Sequence, residues 1–195
     1  MIMFFLTAQA VCFGQTKWEL KRSEEGISVY TRKLDNDRYK EVKVSCETNG
    51  TAEKLIEILQ DVKHHKDWVY GTKSAHIVSR KSRDTLVYYT EVDLPWPVSN
   101  RDLVVQLSYF WMSAKVLKVE AKSFPEMLPK KPNLVRIPYS RGLWNVVSLP
   151  GNRLKIEYEF SVNPGGALPA WLVNYTASTG PLNTFKKLRE RLVED

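Results

Sequence analysis

The stretch "RDLVVQLSYFW" (101–111) sets a single cation at the head of an apolar run. On strand alternation Arg101, Leu103, Val105, Leu107, Tyr109 and Trp111 share one face, and Asp102, Val104, Gln106, Ser108 and Phe110 the other. The odd-numbered face is apolar except at its arginine and is expected to point inward. A guanidinium at the rim of such a face has two uses. One is a structural ion pair with Glu91, Asp93 or Asp102. The other is to anchor the polar end of an apolar ligand, a lipid headgroup or a sterol hydroxyl, through charge-assisted hydrogen bonds. Burying an arginine alone is expensive, so an acidic partner is expected in both cases.

A second set is aromatic. Tyr109, Trp111, Trp144, Tyr158, Trp171 and Tyr175, with Leu172 beside Trp171, are ordinary core residues when taken singly. Placed together on a concave sheet and its covering helix, they have the composition of a ligand pocket wall, mostly apolar with a few polar anchors. Catalytic patterns are weak. His64–His65 lies beside Lys63 and Lys66 without a carboxylate or cysteine at ligand spacing, and is expected to be exposed. The serines lack nucleophile-elbow glycines, and no glycine-rich phosphate loop or Cys/His metal spacing occurs. No metal or cofactor is expected.

These residues need a strand-rich frame. "WELKRSEEGISVYTRKL" reads as two strands about a Glu25–Gly26 turn, and "YKEVKVSCET" alternates as a half-buried third. Thr51 is placed to cap a helix over 51–63, with Glu53 in its first turn and Leu55, Ile56, Leu59 and Val62 on one face. Strands are expected at 73–81, 85–94, 101–112, 115–123, 134–149 and 153–162, joined by turn-forming residues that favour antiparallel hairpins. Residues 168–192 form the last element, a long helix. Pro169 suits its first turn, Leu168 to Leu192 make an apolar stripe, and Gly180–Pro181 interrupts it midway. The expected architecture is α+β, a curved antiparallel sheet gripping a C-terminal helix.

A chain of 195 residues with 43% apolar and 26% charged residues fits one globular domain. The net charge of +7 comes from dispersed Lys and Arg, without a compact basic run or a zinc-finger or RNP-like pattern, so nucleic acid is not expected as a partner. Residues 1–15, "MIMFFLTAQAVCFGQ", are uncharged and too short to span a bilayer. They read as the back half of a signal peptide, with export expected and a buried N-terminal segment of a cytoplasmic protein as the alternative. Cys46 would then be the sole cysteine of the mature domain, 16–195.

Three stretches and the second half of the last helix together resemble the StAR-related lipid-transfer (START) family. "EVDLPWPVSNRDLVV" (91–105) is similar to its Pro-aromatic-Pro turn leading to Asn-Arg-Asp. "NLVRIPYSRGLWNVVSLPGN" (133–152) resembles its Val-Arg strand and following hairpin. "NPGGALPAWLVN" (163–174) and "TGPLNTFKKLRERL" (179–192) are similar to the two halves of its C-terminal helix. With Trp68, the resemblance runs over about 18–193. It implies a helix-grip fold with a hydrophobic tunnel that binds a lipid or other hydrophobic molecule without catalysis, with transfer of that molecule as the further expectation. An enzyme on the same scaffold, aromatic cyclase-like or hydrolase-like, and an interaction module with a filled core are the rival expectations. Two departures matter: Leu107 stands where many members carry a second inward arginine, and Asn163 where an acidic residue precedes the helix. The expected gate is the 93–100 loop with Trp96 at its tip, together with Gly165–Gly166 at the helix root, in a monomer that meets an anionic membrane surface transiently.

Overall fold

The structure is a computed structural model that describes residues 17–33, 40–166 and 168–194. The leader expected over 1–15 lies outside the described residues. Among the described residues ten strands make one sheet: β1 (Glu19–Glu24), β2 (Ile27–Lys33), β3 (Lys40–Asn49), β4 (Thr72–Ser82), β5 (Thr85–Val92), β6 (Arg101–Ser113), β7 (Val116–Ser123), β8 (Val135–Arg136), β9 (Tyr139–Leu149) and β10 (Arg153–Asn163). Their spatial order is β1-β2-β3-β10-β9-β7-β6-β5-β4, antiparallel throughout, with β8 joining β6 in parallel. The sheet curves but does not close. Helices α1 (Ala52–Gln60), α2 (His65–Trp68) and α3 (Ala170–Val193) complete the fold.

Two expected elements are broken, each for a local reason. The strand expected over 134–149 divides at Pro138, which has no N–H to give to a ladder, so β8 leaves to pair with Arg101–Asp102 and β9 starts afresh. The helix expected over 51–63 starts as foreseen, with Thr51 Oγ1 accepting from the Lys54 N–H at 3.2 Å. It stops at Asp61, whose ψ of 63° is not helical, and a 3₁₀ turn over Val62–His64 leads into α2. That turn redirects His65 inward: it is buried, not exposed as expected, and only His64 faces solvent.

The main core joins the far half of α3 to one end of the concave sheet. Leu182, Phe185, Leu188 and Leu192 pack with Leu55 and Leu59 of α1, and with Val29, Val44, Trp144 and Ile156 of the sheet. Leu103, Val105 and Ile137 form a separate cluster further along. Leu172, in the near half of α3, is buried yet belongs to neither cluster. Helix α3 is thus set in the packed core through its far half and touches the same core through Ala177 in its near half.

Candidate functional site

Strand pairing puts three rows of side chains on the concave face. One row runs Tyr109, Val119, Trp144, Tyr158 and Val44; the next Leu107, Ala121, Gly142 and Phe160; the third Tyr88, Val105 and Ser123. Ala121 and Gly142 leave a hollow in the middle row. The Tyr158 ring fills part of it, for a Cβ built on Gly142 would lie 3.0 Å from the Tyr158 hydroxyl. Trp144 and Phe185 hold that ring from two sides, at centroid distances of 4.4 and 5.8 Å. Tyr88 reaches the hollow from the other row, packed against the Leu103–Val105 cluster, with His65 edge-on to its ring at 5.3 Å.

The two tyrosines share an unusual environment. Each keeps accessible surface, being only half-buried. Yet burial pushes the Tyr88 phenol up to about 12 and raises that of Tyr158 above the ordinary tyrosine range. Burial is the main cause at both, and at Tyr158 the Tyr88 phenol adds to it.

Arg101 lies at the far end of that face and is 3% exposed. No carboxylate among the described residues pairs with it, which corrects the expected acidic partner. Its guanidinium instead donates to backbone carbonyls: Ser99 O at the foot of the 93–100 loop, Gly165 O at 3.3 Å and Pro164 O at 3.5 Å. Burial lowers its pKa from the usual arginine value, as expected of a cation without a counter-ion. The three supposed partners are engaged elsewhere. Asp102 holds Arg136 in a bidentate pair at 2.9 Å, Glu91 meets Lys131 and the Tyr89 hydroxyl, and Asp93 accepts from Asn100. Arg136 also donates to Pro125, Leu128 and Pro129 carbonyls, fastening that loop over the outer face. Sequence reading missed Arg136, whose partner lies 34 residues away.

Leu103, Val105 and Leu107 are buried on the concave face as expected, Trp144 and Tyr158 join them, and Tyr109 is half-buried with its hydroxyl donating to Arg83 O. Trp111 is displaced from the set. It is 42% exposed beside Phe110 and Met112 at the β6–β7 hairpin tip, because β6 outruns the elements that cover its other residues. The side chains of Trp171 and Tyr175 lie outside the described residues, and only Leu172 of that group is seen, buried.

The residues expected to form a gate occupy two settings. Trp96 is 92% exposed at the tip of a loop whose foot Asn100 ties, donating to Asp93 Oδ1 at 2.8 Å and accepting from the Leu94 N–H at 2.9 Å. Gly165 and Gly166 both have positive φ, 66° and 60°. A side chain on Gly165 would also press on Val135 and Pro138 at 3.2–3.3 Å, so glycine is required there for conformation and for room. The basic residues on the outer side of α3 are occupied: Lys186 by Glu24 and Glu25, Lys187 by Asp67 O and Arg191 by Asp67.

An open antiparallel sheet gripping a C-terminal helix, with an arginine inside the grip, is the helix-grip fold. The chain belongs to the START domain family, whose family model matches residues 7–194. It is 26% identical over 172 residues to an uncharacterised protein of Pseudomonas aeruginosa, covering 88% of this chain and 85% of that one. It is 28% identical over 178 residues to the phosphatidylcholine transfer protein of Bos taurus, covering 88% and 82%. A crystal structure of a STAR-related lipid transfer protein from Xanthomonas axonopodis superposes with a TM-score of 0.83 at 28% identity, over 91% of this chain and 99% of that one. A Streptomyces aromatase/cyclase shares the fold alone, at 13% identity.

Proposed function

We propose that this protein binds one lipid molecule non-covalently between the concave sheet and the near half of α3, and carries it between membranes. The observation that carries this reading is Arg101, buried at the end of an apolar concave face, held by backbone carbonyls and without a carboxylate partner among the described residues. Apolar chain buried there contributes about 0.8 kcal/mol per CH₂, so an acyl tail is held without strong polar contacts. Arg101 orients the polar end. Its guanidinium carries five N–H donors and directs three contacts at carbonyls, leaving donors and an uncompensated charge for an anionic oxygen. A glycerophospholipid supplies that oxygen in its phosphate, in keeping with the likeness to a phosphatidylcholine transfer protein. The lipid is admitted past the 93–100 loop, with Trp96 dipping into the membrane surface.

The test is mass spectrometry of lipids extracted from protein purified natively, followed by transfer of labelled phospholipid between vesicles. One reproducible lipid class at close to one molecule per chain, and transfer above the spontaneous rate, are expected. Protein that is empty after purification and inert towards vesicles would overturn the reading.

A further inference from the structure

The β6–β7 hairpin outruns its neighbours. Pairing with β5 ends at Thr85–Ser108 and pairing with β9 at Val116–Val147, so the hairpin tip stands beyond both. Residues 110–115 are all exposed, with Phe110 at 51%, Trp111 at 42% and Met112 at 62%. Strand alternation turns Phe110 to the outer face, opposite Lys118, and Trp111 to the concave side, opposite Leu117. The register shifts between Trp111 and Ser113, which places Met112 in an irregularity of the ladder. The turn itself is tied. Ser113 Oγ accepts from the Lys115 N–H at 3.3 Å, and Lys115 O accepts from the Ser148 N–H at 2.9 Å. Clustered apolar groups held in solvent mark a contact surface.

We propose that the β6–β7 hairpin tip is a docking site for an anionic bilayer, with Phe110, Trp111 and Met112 set into its interface. Two observations choose this occupant. The apolar side chains lie on both faces of a two-stranded ribbon. A protein partner covers one face, whereas a bilayer interface surrounds an inserted tip. The charge is also complementary. Lys115 and Lys118 are exposed, and neither makes an ion pair among the described residues. Glu120, further along β7, is held by Arg141 at 2.8 Å. Glu53 of α1 borders a notch beside Trp111 and is outnumbered by the two lysines. Lysines flanking such a tip reach anionic headgroups while the aromatic rings sit at headgroup level. The site is distinct from the 93–100 loop. Trp111 is about 34 Å along β6 from Arg101, so the hairpin and that loop belong to opposite ends of the strand. The inference goes beyond the lipid-binding reading and holds whichever molecule lies beneath α3.

The test is co-sedimentation with vesicles of equal parts phosphatidylcholine and phosphatidylglycerol, and with vesicles of phosphatidylcholine alone. Wild-type protein is expected to bind the anionic vesicles more tightly, by a margin that shrinks as salt is raised. Phe110→Ser/Trp111→Ser/Met112→Ser is expected to lose about tenfold or more in affinity for the anionic vesicles. Lys115→Glu/Lys118→Glu keeps every apolar residue and is expected to lose on the order of tenfold, on anionic vesicles only. Both variants should keep the wild-type thermal midpoint and copurifying lipid, because the substituted residues are exposed. The charge variant carries the test if the serine variant does not fold. Binding unchanged in the hairpin variants, or no binding by the wild type, would overturn the docking site and leave the lipid-binding reading to its own test. Self-association that the hairpin variants lose, without vesicle binding, would overturn it too and make the tip a contact between copies of this chain.

Discussion

Two arginines that look alike in the sequence do opposite work. Arg136 donates from Nε and Nη2 to the two carboxylate oxygens of Asp102, whose side chain is only 1% exposed, and the pairing raises its pKa. Arg136→Met leaves a buried carboxylate without a partner and is expected to cost about 3–5 kcal/mol, read as a fall in the urea midpoint. Arg101 holds only carbonyls of the half-buried Pro164–Gly165 turn and of Ser99, which water can satisfy. Arg101→Leu is expected to fold with little loss of stability and to weaken phospholipid binding at least several-fold. Severe destabilisation with unchanged affinity would make Arg101 a structural brace. Alternation along 101–111 was enough to place Arg101 inside and Asp102 outside. It could not show that the Asp102 partner comes from β8, because parallel pairing to a two-residue strand leaves no periodic trace.

The elements were legible where local chemistry dictates them and illegible where a single dihedral decides. Thr51 and the spacing of Leu55 and Leu59 announce α1, but its stop at Asp61 depends on a backbone turn that no side chain signals. That stop buries His65, whose Nε2–H donates to Leu59 O at 3.0 Å while its ring meets Trp68 and Tyr88 edge-on. Burial holds its pKa below the ordinary 6.5, so the native state keeps it neutral. Below about pH 6.5 the unfolded chain takes up a proton that the folded chain refuses. The stabilising contribution is therefore complete above that pH and is lost as pH falls from 6.5 towards the lower folded value. Urea midpoints measured between pH 7.5 and 5 should fall in the wild type and fall less in His65→Gln, which keeps a donor for Leu59 O. Equal slopes in the two proteins would mean that other groups carry the acid sensitivity.

At the scale of the whole molecule, the sequence foretold a grip but could not say which half of the helix is core and which is cover. The apolar stripe of α3 looks uniform from Leu168 to Leu192, whereas its packing is not. Leu182, Phe185, Leu188 and Leu192 are locked into the main core, and Lys186 and Arg191 pair with Glu24, Glu25 and Asp67. The near half reaches that core through Ala177, carries Leu172 outside the packed clusters, and ends at Gly180–Pro181. Pro181 has no N–H to give to the carbonyl one turn back, so the helix is weakest at the junction of its two halves. Gly180 sits there with Tyr70 against it, where a Cβ would come within 3.1 Å of the ring, so the junction is also a contact point. At the helix root, by contrast, Gly165 is wedged against Val135 and Pro138 and its carbonyl is held by Arg101. A lid that lifts to admit lipid is therefore expected to pivot at 180–181, with the root turn released from Arg101 as it moves. Amide hydrogen exchange is the direct measurement, since it reports opening that leaves the core intact. Amides of 173–179 should exchange far faster than those of 183–192 in lipid-free protein, and bound phospholipid should slow the first group alone. Uniform protection along α3, unchanged by lipid, would mean that the helix moves as one body or not at all. The passage would then have to open at the 93–100 loop, where Trp96 already stands in solvent.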